Sequence, residues 1–132
     1  MILIDTHIWI WWVTGSESLP NKQRGFLEAQ PLGTIAISSI SCWEISKLVE
    51  LGRLQFSIPV EQWLKEAVHQ YNIRTIDLEI PIVVESTRLP SDFHKDPADQ
   101  MIDATARVFD IPLLTADSKI LNYPFVKLCS VK

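Results

Sequence analysis

The sequence predicts an α/β fold with a central, mostly parallel sheet of about five strands flanked by helices. Short, continuously apolar segments, such as Ile2–Ile4 and Thr34–Ile37, have the composition of strands that are covered on both faces. Longer amphipathic segments separate them, and this alternation implies parallel strands joined by crossover helices. With 132 residues, 47% of them hydrophobic, we expect one domain over residues 1–132.

Hydrophobic spacing places the elements of the first half of the chain. They are, in order, a strand at 2–5, a helix over about 6–13, a short helix near 20–29, a strand at 34–38, and helices over about 40–51 and 60–71. The turn-forming residues of Gly15–Pro20 mark the loop after the first helix. In the helix at 40–51, Ile45, Leu48 and Val49 share a face, and we expect Gly52 to end it.

The second half continues the alternation. Its predicted elements are a strand at 73–77, a helix over about 80–88, a helix from Asp96-Pro97 to about 109, a strand at 111–115 and a short final strand around 125–130. Pro81 falls in the first turn of its helix, where its missing N–H does no harm. Asp96 precedes Pro97 in the pattern of an N-cap followed by proline.

Acidic residues stand where the apolar segments end. Asp5 follows the first strand, Glu44 lies in the helix after the second, Asp99 lies in the first turn of the helix at 97, and Asp117 follows the strand at 111–115. Each has a structural explanation: Asp5, Asp96 and Asp117 could cap helices, and Ser41 with Glu44 reads as a capping box. Because the carboxyl ends of parallel strands share one edge of a sheet, the four acids are also expected around one crevice.

Such a cluster indicates a metal site. Neighbouring carboxylates repel one another unless cations intervene, and oxygen ligands favour Mg²⁺ or Mn²⁺ over zinc. A site of this kind could hydrolyse a phosphodiester bond with a metal-activated water. Ser38 and Thr115 are placed to hydrogen-bond a carboxylate in it. The net charge of −4 does not suggest a nucleic-acid binder, although bound divalent ions would offset the acids of the site.

The same residues resemble the motifs of PIN-domain proteins, and specifically of the VapC toxins of bacterial and archaeal toxin–antitoxin pairs. The likeness spans nearly the whole chain in order and spacing, and it rests on four motifs: Ile4–Trp9, Ser38–Ile45, His94–Asp99 with Ala104–Ala106, and Leu114–Asp117. Two positions depart from the family pattern. Gln100 stands where arginine is usual, and Asp103 stands where an apolar or small residue is usual. Asp103 could face the metal, but we interpret it as part of a solvated face.

The resemblance implies an endoribonuclease that depends on Mg²⁺ or Mn²⁺ and acts as the toxin of a toxin–antitoxin pair. Asp5, Glu44, Asp99 and Asp117 would be the catalytic, metal-binding acids, with Asp96 as an outer or helix-capping partner. It also implies an RNA substrate, a cognate antitoxin that blocks the site, and a homodimer. The alternatives are a DNA or flap nuclease with the same acids, and a catalytically silent PIN-type module that only binds partners.

Other features bear less directly on function. A phospho-acceptor domain would need an early acidic pair, which this chain lacks. His7 and His94 could act as general bases, but a metal-bound water needs none, so we interpret both as polar packing. We interpret Cys42 and Cys129 as buried thiols of a reducing compartment. No apolar run near the start is long enough to cross a bilayer, so we expect a cytoplasmic protein with no membrane partner. Candidates for phosphate contacts are Lys47, Arg53, Lys95, Arg107 and Lys119.

Overall fold

The computed structural model describes residues 1–131, and the predicted alternation of strands and helices is present. Within these residues the elements are β1 (Ile2–Ile4), α1 (Thr6–Thr14), α2 (Asn21–Glu28), β2 (Ile35–Ser38), α3 (Ser39–Glu50), α4 (Val60–Gln70), β3 (Arg74–Ile76), α5 (Ile80–Ser86), α6 (Pro97–Phe109), β4 (Leu113–Leu114) and α7 (Ser118–Leu121). The predicted α/β class is therefore confirmed, with most helix limits within one or two residues of expectation.

The strands form one sheet in the order β3-β2-β1-β4, and all three pairings are parallel. In the registers, Leu3 of β1 lies between Ala36 of β2 and Leu113 of β4. The chain runs from β1 to β2 on one side of the sheet and later returns to β4 on the other. A reversal of this kind leaves a crevice at the carboxyl ends of the strands, where open α/β sheets bind ligands.

The predicted final strand contributes one bridge rather than a full strand. Leu128 pairs in parallel with Leu113 as an isolated bridge. Leu113 N–H donates to Lys127 O at 2.9 Å, and Cys129 N–H donates to Leu113 O at 2.8 Å. Because β4 itself has only two residues, it offers a neighbour little more than this pair of bonds.

Helices cover both faces of the sheet, as the apolar strands require. Side chains alternate across a strand, so Ile2 and Ile4 join one core cluster while Leu3 joins the other. The first cluster includes the buried tryptophans Trp9 and Trp12 of α1. The second is filled by residues of α6, α7 and the segment after it: Ile102, Ala106, Ile120, Tyr123 and Val126. Buried layers on both faces hold the carboxyl edge of the sheet in place.

Two helix ends show where capping was predicted correctly and where it was not. Gly52 follows α3 with φ +71°, and Arg53 N–H donates to Leu48 O at 2.9 Å, as expected of a glycine that ends a helix. The capping box of Ser41 and Glu44 is wrong, because α3 begins at Ser39 and Ser38 is its N-cap. Glu44 is thereby free to point away from the helix start. Among the helices of residues 1–131, none has the length and apolar character needed to traverse a bilayer.

Candidate metal centre

An open pocket of about 300 Å³ lies at the carboxyl edge of the sheet, where α1, α3 and α6 begin or pass. Its walls come from all four parts of the chain in which the sequence placed an acidic residue. The lining residues are Asp5, Thr6, His7, Trp11, Glu44, Asp96, Asp99, Ala116 and Asp117. The structure thus brings Asp5, Glu44, Asp99 and Asp117 into one pocket, although 112 residues of sequence separate the first from the last.

Asp5 is the most buried of the four, with 6% of its surface exposed. It lies directly after β1, and it caps α1 by accepting a hydrogen bond from Ile8 N–H at 2.9 Å. The Thr115 hydroxyl donates to its other oxygen. The same hydroxyl accepts the Asp117 N–H at 3.1 Å, so Thr115 connects the acids that follow β1 and β4. Asp5 therefore both caps α1 and lines the pocket.

Glu44 is oriented by a hydroxyl of α1. Thr6 Oγ1 lies 2.5 Å from Glu44 Oε1 and 2.8 Å from Ser41 Oγ. Since a hydroxyl has one proton and the carboxylate can only accept, Thr6 donates to Glu44 and can accept from Ser41. Thr6 and Ser41 are both buried, which fixes the donor beneath the Glu44 carboxylate.

Asp99 has a histidine as its side-chain partner. His94 Nε2 lies 2.6 Å from Asp99 Oδ2, while Asp96 Oδ1 accepts the Asp99 N–H at 3.0 Å and caps α6. One ligand-type atom each from His94, Asp99 and Asp117 lies within 4.8 Å of the other two. Asp117 in turn caps α7 by accepting the Lys119 N–H at 2.9 Å. His94 does not line the pocket, but it contacts one of the pocket acids and lies close to a second.

Burial governs the protonation of these acids. Loss of solvent raises the pKa of Asp5, of Glu44 and of Asp99 above their ordinary values, and the charge of Asp99 adds to the rise at both Asp5 and Glu44. The hydrogen bonds from Thr115, Thr6 and His94 oppose it. Carboxyls in such a site are ionised most readily when a cation lies among them.

The prediction that Asp103 lies on a solvated face is wrong. Its side chain is fully buried, and neither carboxyl oxygen has a hydrogen-bond partner among residues 1–131. Burial and the charges of Asp99, Asp117 and Asp5 raise its pKa to about 8. The sequence pattern was ambiguous because Asp103 lies one helical turn from Asp99, on a face that could have met either solvent or the metal site.

The donor set fits a hard divalent cation. Carboxylate groups outnumber the imidazoles of His7 and His94, as Mg²⁺ and Mn²⁺ prefer, and the buried Asp103 carboxyl lacks any partner within the described chain. An acidic pocket without a cation would keep its carboxylates in mutual repulsion. The residues that could hold the ion are Asp5, Glu44, Asp99 and Asp117.

Not every residue singled out by the sequence lies at the pocket. Ser38 is buried, and its hydroxyl accepts the Ile40 N–H at 3.2 Å at the start of α3 rather than contacting a carboxylate. Arg107 pairs with Glu85 of α5 at 2.8 Å, away from the acids. Thr6, in contrast, lines the pocket although the sequence patterns gave no role to it. Its position directly after Asp5 was the signal that could have identified it.

Comparison with known proteins agrees with this arrangement. The family model described as "PIN domain" matches residues 2–126. A protein named Ribonuclease VapC22 from Mycobacterium tuberculosis is 30% identical over 122 residues, which cover 92% of this chain and 91% of that protein. The similarity thus extends across all four acidic positions.

Solved structures share the fold. A toxin–antitoxin complex from Klebsiella pneumoniae has a TM-score of 0.67 and 24% identity, with 96% of this chain and 95% of that one covered. FitAcB from Neisseria gonorrhoeae has a TM-score of 0.71 and 19% identity, with 98% and 97% covered. DNA-bound VapBC from Salmonella typhimurium has a TM-score of 0.70 and 16% identity, with 97% and 96% covered. From the family match, the relative and this arrangement of strands, the chain belongs to the PIN-domain family.

Proposed function

We propose that this protein is a metal-dependent endoribonuclease and the toxin of a toxin–antitoxin pair. The observation that supports it most strongly is the convergence of Asp5, Glu44, Asp99 and Asp117 on one pocket at the carboxyl edge of the sheet. Family membership and the relative named as a ribonuclease agree with it. The finer assignments below, including the metal, the catalytic residues and the substrate, are parts of the same proposal.

In this proposal the residues that would hold Mg²⁺ or Mn²⁺ are the four acids. Once bound, a divalent ion would supply an acidified water and offset the negative charge of the phosphodiester. The protein contributes orientation: Thr115 fixes Asp5, Thr6 fixes Glu44, and Asp96 fixes the backbone of Asp99. Such supporting hydrogen bonds restrict each carboxylate to one direction, which a metal site requires.

A groove beside the pocket suits a single-stranded substrate. It shares Glu44 and Asp96 with the acidic pocket and is lined further by Trp43, Lys47, Leu48, Leu51, Arg53, Pro97 and Ala98. The Trp43 side chain is 55% exposed, although it is large and apolar. An exposed indole next to two cations can stack a splayed base while Lys47 and Arg53 approach the backbone phosphates.

The proposal includes protein partners and a cytoplasmic location. Solved relatives with the same fold are described as toxin–antitoxin or VapBC complexes, which supports a small antitoxin as the binding partner. A homodimer is proposed as well, and α5 offers exposed apolar side chains for a contact between chains at Ile80, Val83 and Val84. Sedimentation of the purified protein alone, and after co-expression with the product of a neighbouring gene, tests both.

The decisive experiment is cleavage of total cellular RNA by purified protein with Mg²⁺, with Mn²⁺ and with EDTA. Asp99→Asn and Asp5→Ala proteins are assayed in parallel, and single-stranded and flapped DNA are offered under the same conditions. We expect metal-dependent RNA cleavage that falls at least about 100-fold in both variants, since even supporting residues of metal sites contribute 10–100-fold.

Matched controls make the result specific. Asp77→Asn removes an exposed acid after β3, outside the pocket, and should cleave RNA as the unchanged protein does. Circular dichroism verifies that each variant is folded. Cleavage that survives both Asp99→Asn and Asp5→Ala, or that persists in EDTA, would contradict the proposal. Cutting of DNA but not RNA would assign the site to a deoxyribonuclease.

A further inference from the structure

Asp103 is an anomaly in an otherwise well-satisfied helix. The neighbouring buried residues of α6 are apolar or have bonded polar groups; the Thr105 hydroxyl, for example, donates to Met101 O at 2.7 Å. Asp103 is fully buried, and both of its oxygens are without a partner in the described part of the chain. The other buried side-chain atoms in that condition belong to neutral residues: Trp9, Trp12 and Gln23. Asp103 is thus the one carboxyl among them.

The position of Asp103 relates it to the acidic pocket. It lies four residues after Asp99 on α6, so the two side chains share a helix face. The groups that act on it electrostatically are Asp99, Asp117 and Asp5, and Arg107 opposes them. Arg107 is committed elsewhere, however, to Glu85 and to the Phe125 carbonyl. The charges of three acids therefore act on the buried Asp103 carboxyl, and no cation of the described chain pairs with it.

A partner from outside the chain would resolve this situation. An unpaired carboxyl in a buried site loses its hydration, at a cost of several kcal/mol when it is charged. A trapped water could accept or donate a hydrogen bond but would leave the repulsion with three neighbouring acids in place. A divalent cation both coordinates the oxygens and balances the charge.

We propose that Asp103 is a fifth carboxylate ligand of the metal centre, binding a divalent cation from the buried side of the pocket. This inference rests on the proposed function, since it assumes that the pocket binds a metal. It goes beyond it in assigning a ligand at a position that the four-acid motif does not include. It also means that this chain should hold its cation more tightly than the four acids alone would.

The test is direct measurement of Mn²⁺ binding by titration calorimetry, which needs no RNA and no activity. The proteins are the unchanged chain, Asp103→Asn, Asp103→Ala and Asp99→Asn, with Asp77→Asn as the matched control. Asp103→Asn keeps the shape of the side chain, and Asp103→Ala removes every possible ligand atom. We expect both Asp103 variants to bind Mn²⁺ at least about tenfold more weakly, while Asp77→Asn is unaffected.

The Mn²⁺ titrations of these variants distinguish failure of this inference from failure of the proposed function. If Asp99→Asn loses affinity but both Asp103 variants bind as the unchanged protein does, Asp103 is only a buried neutral carboxyl and the inference is overturned. If the unchanged protein binds no Mn²⁺, the metal centre itself is wrong and both proposals fail. Thermal unfolding in EDTA shows whether the variants are folded, and Asp103→Asn should be at least as stable as the unchanged protein.

Discussion

Thr115 contacts both the acid that follows β1 and the acid that follows β4. Its hydroxyl donates to Asp5 and accepts from the backbone of Asp117. Because the proton can go to only one acceptor, this pattern fixes the hydroxyl direction and leaves the Asp5 carboxylate with a donor on each oxygen. The hydrogen bond also counters the burial that raises the Asp5 pKa.

Thr115→Val should therefore weaken the metal centre without removing a ligand. We expect Mn²⁺ affinity and RNA cleavage to fall roughly 10-fold to 100-fold, because Asp5 loses its orientation and its pKa rises further. The matched control is Thr115→Ser, which keeps the hydroxyl and should retain most of both. Calorimetry and a cleavage assay measure the two effects. Loss in the serine variant with none in the valine variant would show that packing of the methyl group is what matters.

Asp103 should make the stability of the metal-free protein depend on pH. With its pKa at about 8 in the folded protein and 3.8 in the unfolded chain, the folded state holds a proton that the unfolded state releases between those values. The free energy of unfolding therefore falls as pH rises through this window, by about 1.4 kcal/mol per pH unit for one proton.

Asp103→Asn should remove that dependence. Relative to the unchanged protein in EDTA, the variant should gain roughly 2–3 kcal/mol in free energy of unfolding between pH 5 and pH 7. Asp5, Glu44 and Asp99 also have raised pKa values, but they are present in both proteins, so the difference isolates Asp103. Urea unfolding at several pH values provides the measurement. Parallel curves for the two proteins would mean that Asp103 is ionised in the folded state.

At the residue scale the sequence could point to the acids and to the Thr115 hydroxyl, but not to the acid that Thr115 contacts or to the role of Thr6. Asp5, Asp99 and Asp117 follow strand ends or begin helices, which are local features that spacing reveals. The bonds from Thr115 to Asp5 and from Thr6 to Glu44 join positions 110 and 38 residues apart, so only the folded chain creates them. The burial of Asp103 has the same origin, since it depends on how α6 meets its neighbours.

Helix ends were more predictable, because their signals are local. Proline after an N-cap aspartate gave the start of α6 at Pro97, and Gly52 gave the end of α3. The extent of the final strand was less predictable from the sequence. Its single bridge at Leu128 depends on the two-residue length of β4, which no pattern in residues 125–130 encodes. Short apolar runs predict that a strand is possible, and the neighbouring strand decides how much of it pairs.

Two glycines of the helical elements should respond to alanine in opposite directions. Gly25 lies inside α2 with no positive φ and nothing within 4 Å of an added Cβ, whereas Gly52 has φ +71° and equally open space. Gly25→Ala should raise the free energy of unfolding by about 0.5–1 kcal/mol through lower chain entropy. Gly52→Ala should lower it by about 1 kcal/mol through backbone strain. Urea unfolding of the pair tests this, and a stable Gly52→Ala protein would mean that the end of α3 can change conformation.

On the scale of the whole molecule, charge opposes the proposed substrate. The chain has a net charge of −4, and several of its acids line the pocket over which a phosphodiester would have to lie. The cations that could attract RNA, Lys47 and Arg53, lie in the adjoining groove. A bound divalent ion would change the local sign, so RNA should bind more tightly with metal than in EDTA, even where cleavage is prevented.

The sharpest consequence concerns Asp99→Asn in EDTA. Without metal, each ionised pocket carboxylate repels the substrate, and removing one unit charge a few ångströms from a phosphate is worth about 1 kcal/mol. Asp99→Asn should therefore bind a short single-stranded RNA about fivefold more tightly than the unchanged protein in EDTA, although it cleaves nothing. Fluorescence anisotropy at fixed ionic strength measures this, with Asp77→Asn expected to stay close to the unchanged protein. Equal or weaker binding by Asp99→Asn would place the RNA away from the acids, because a strand that crosses the pocket cannot avoid the charge of Asp99.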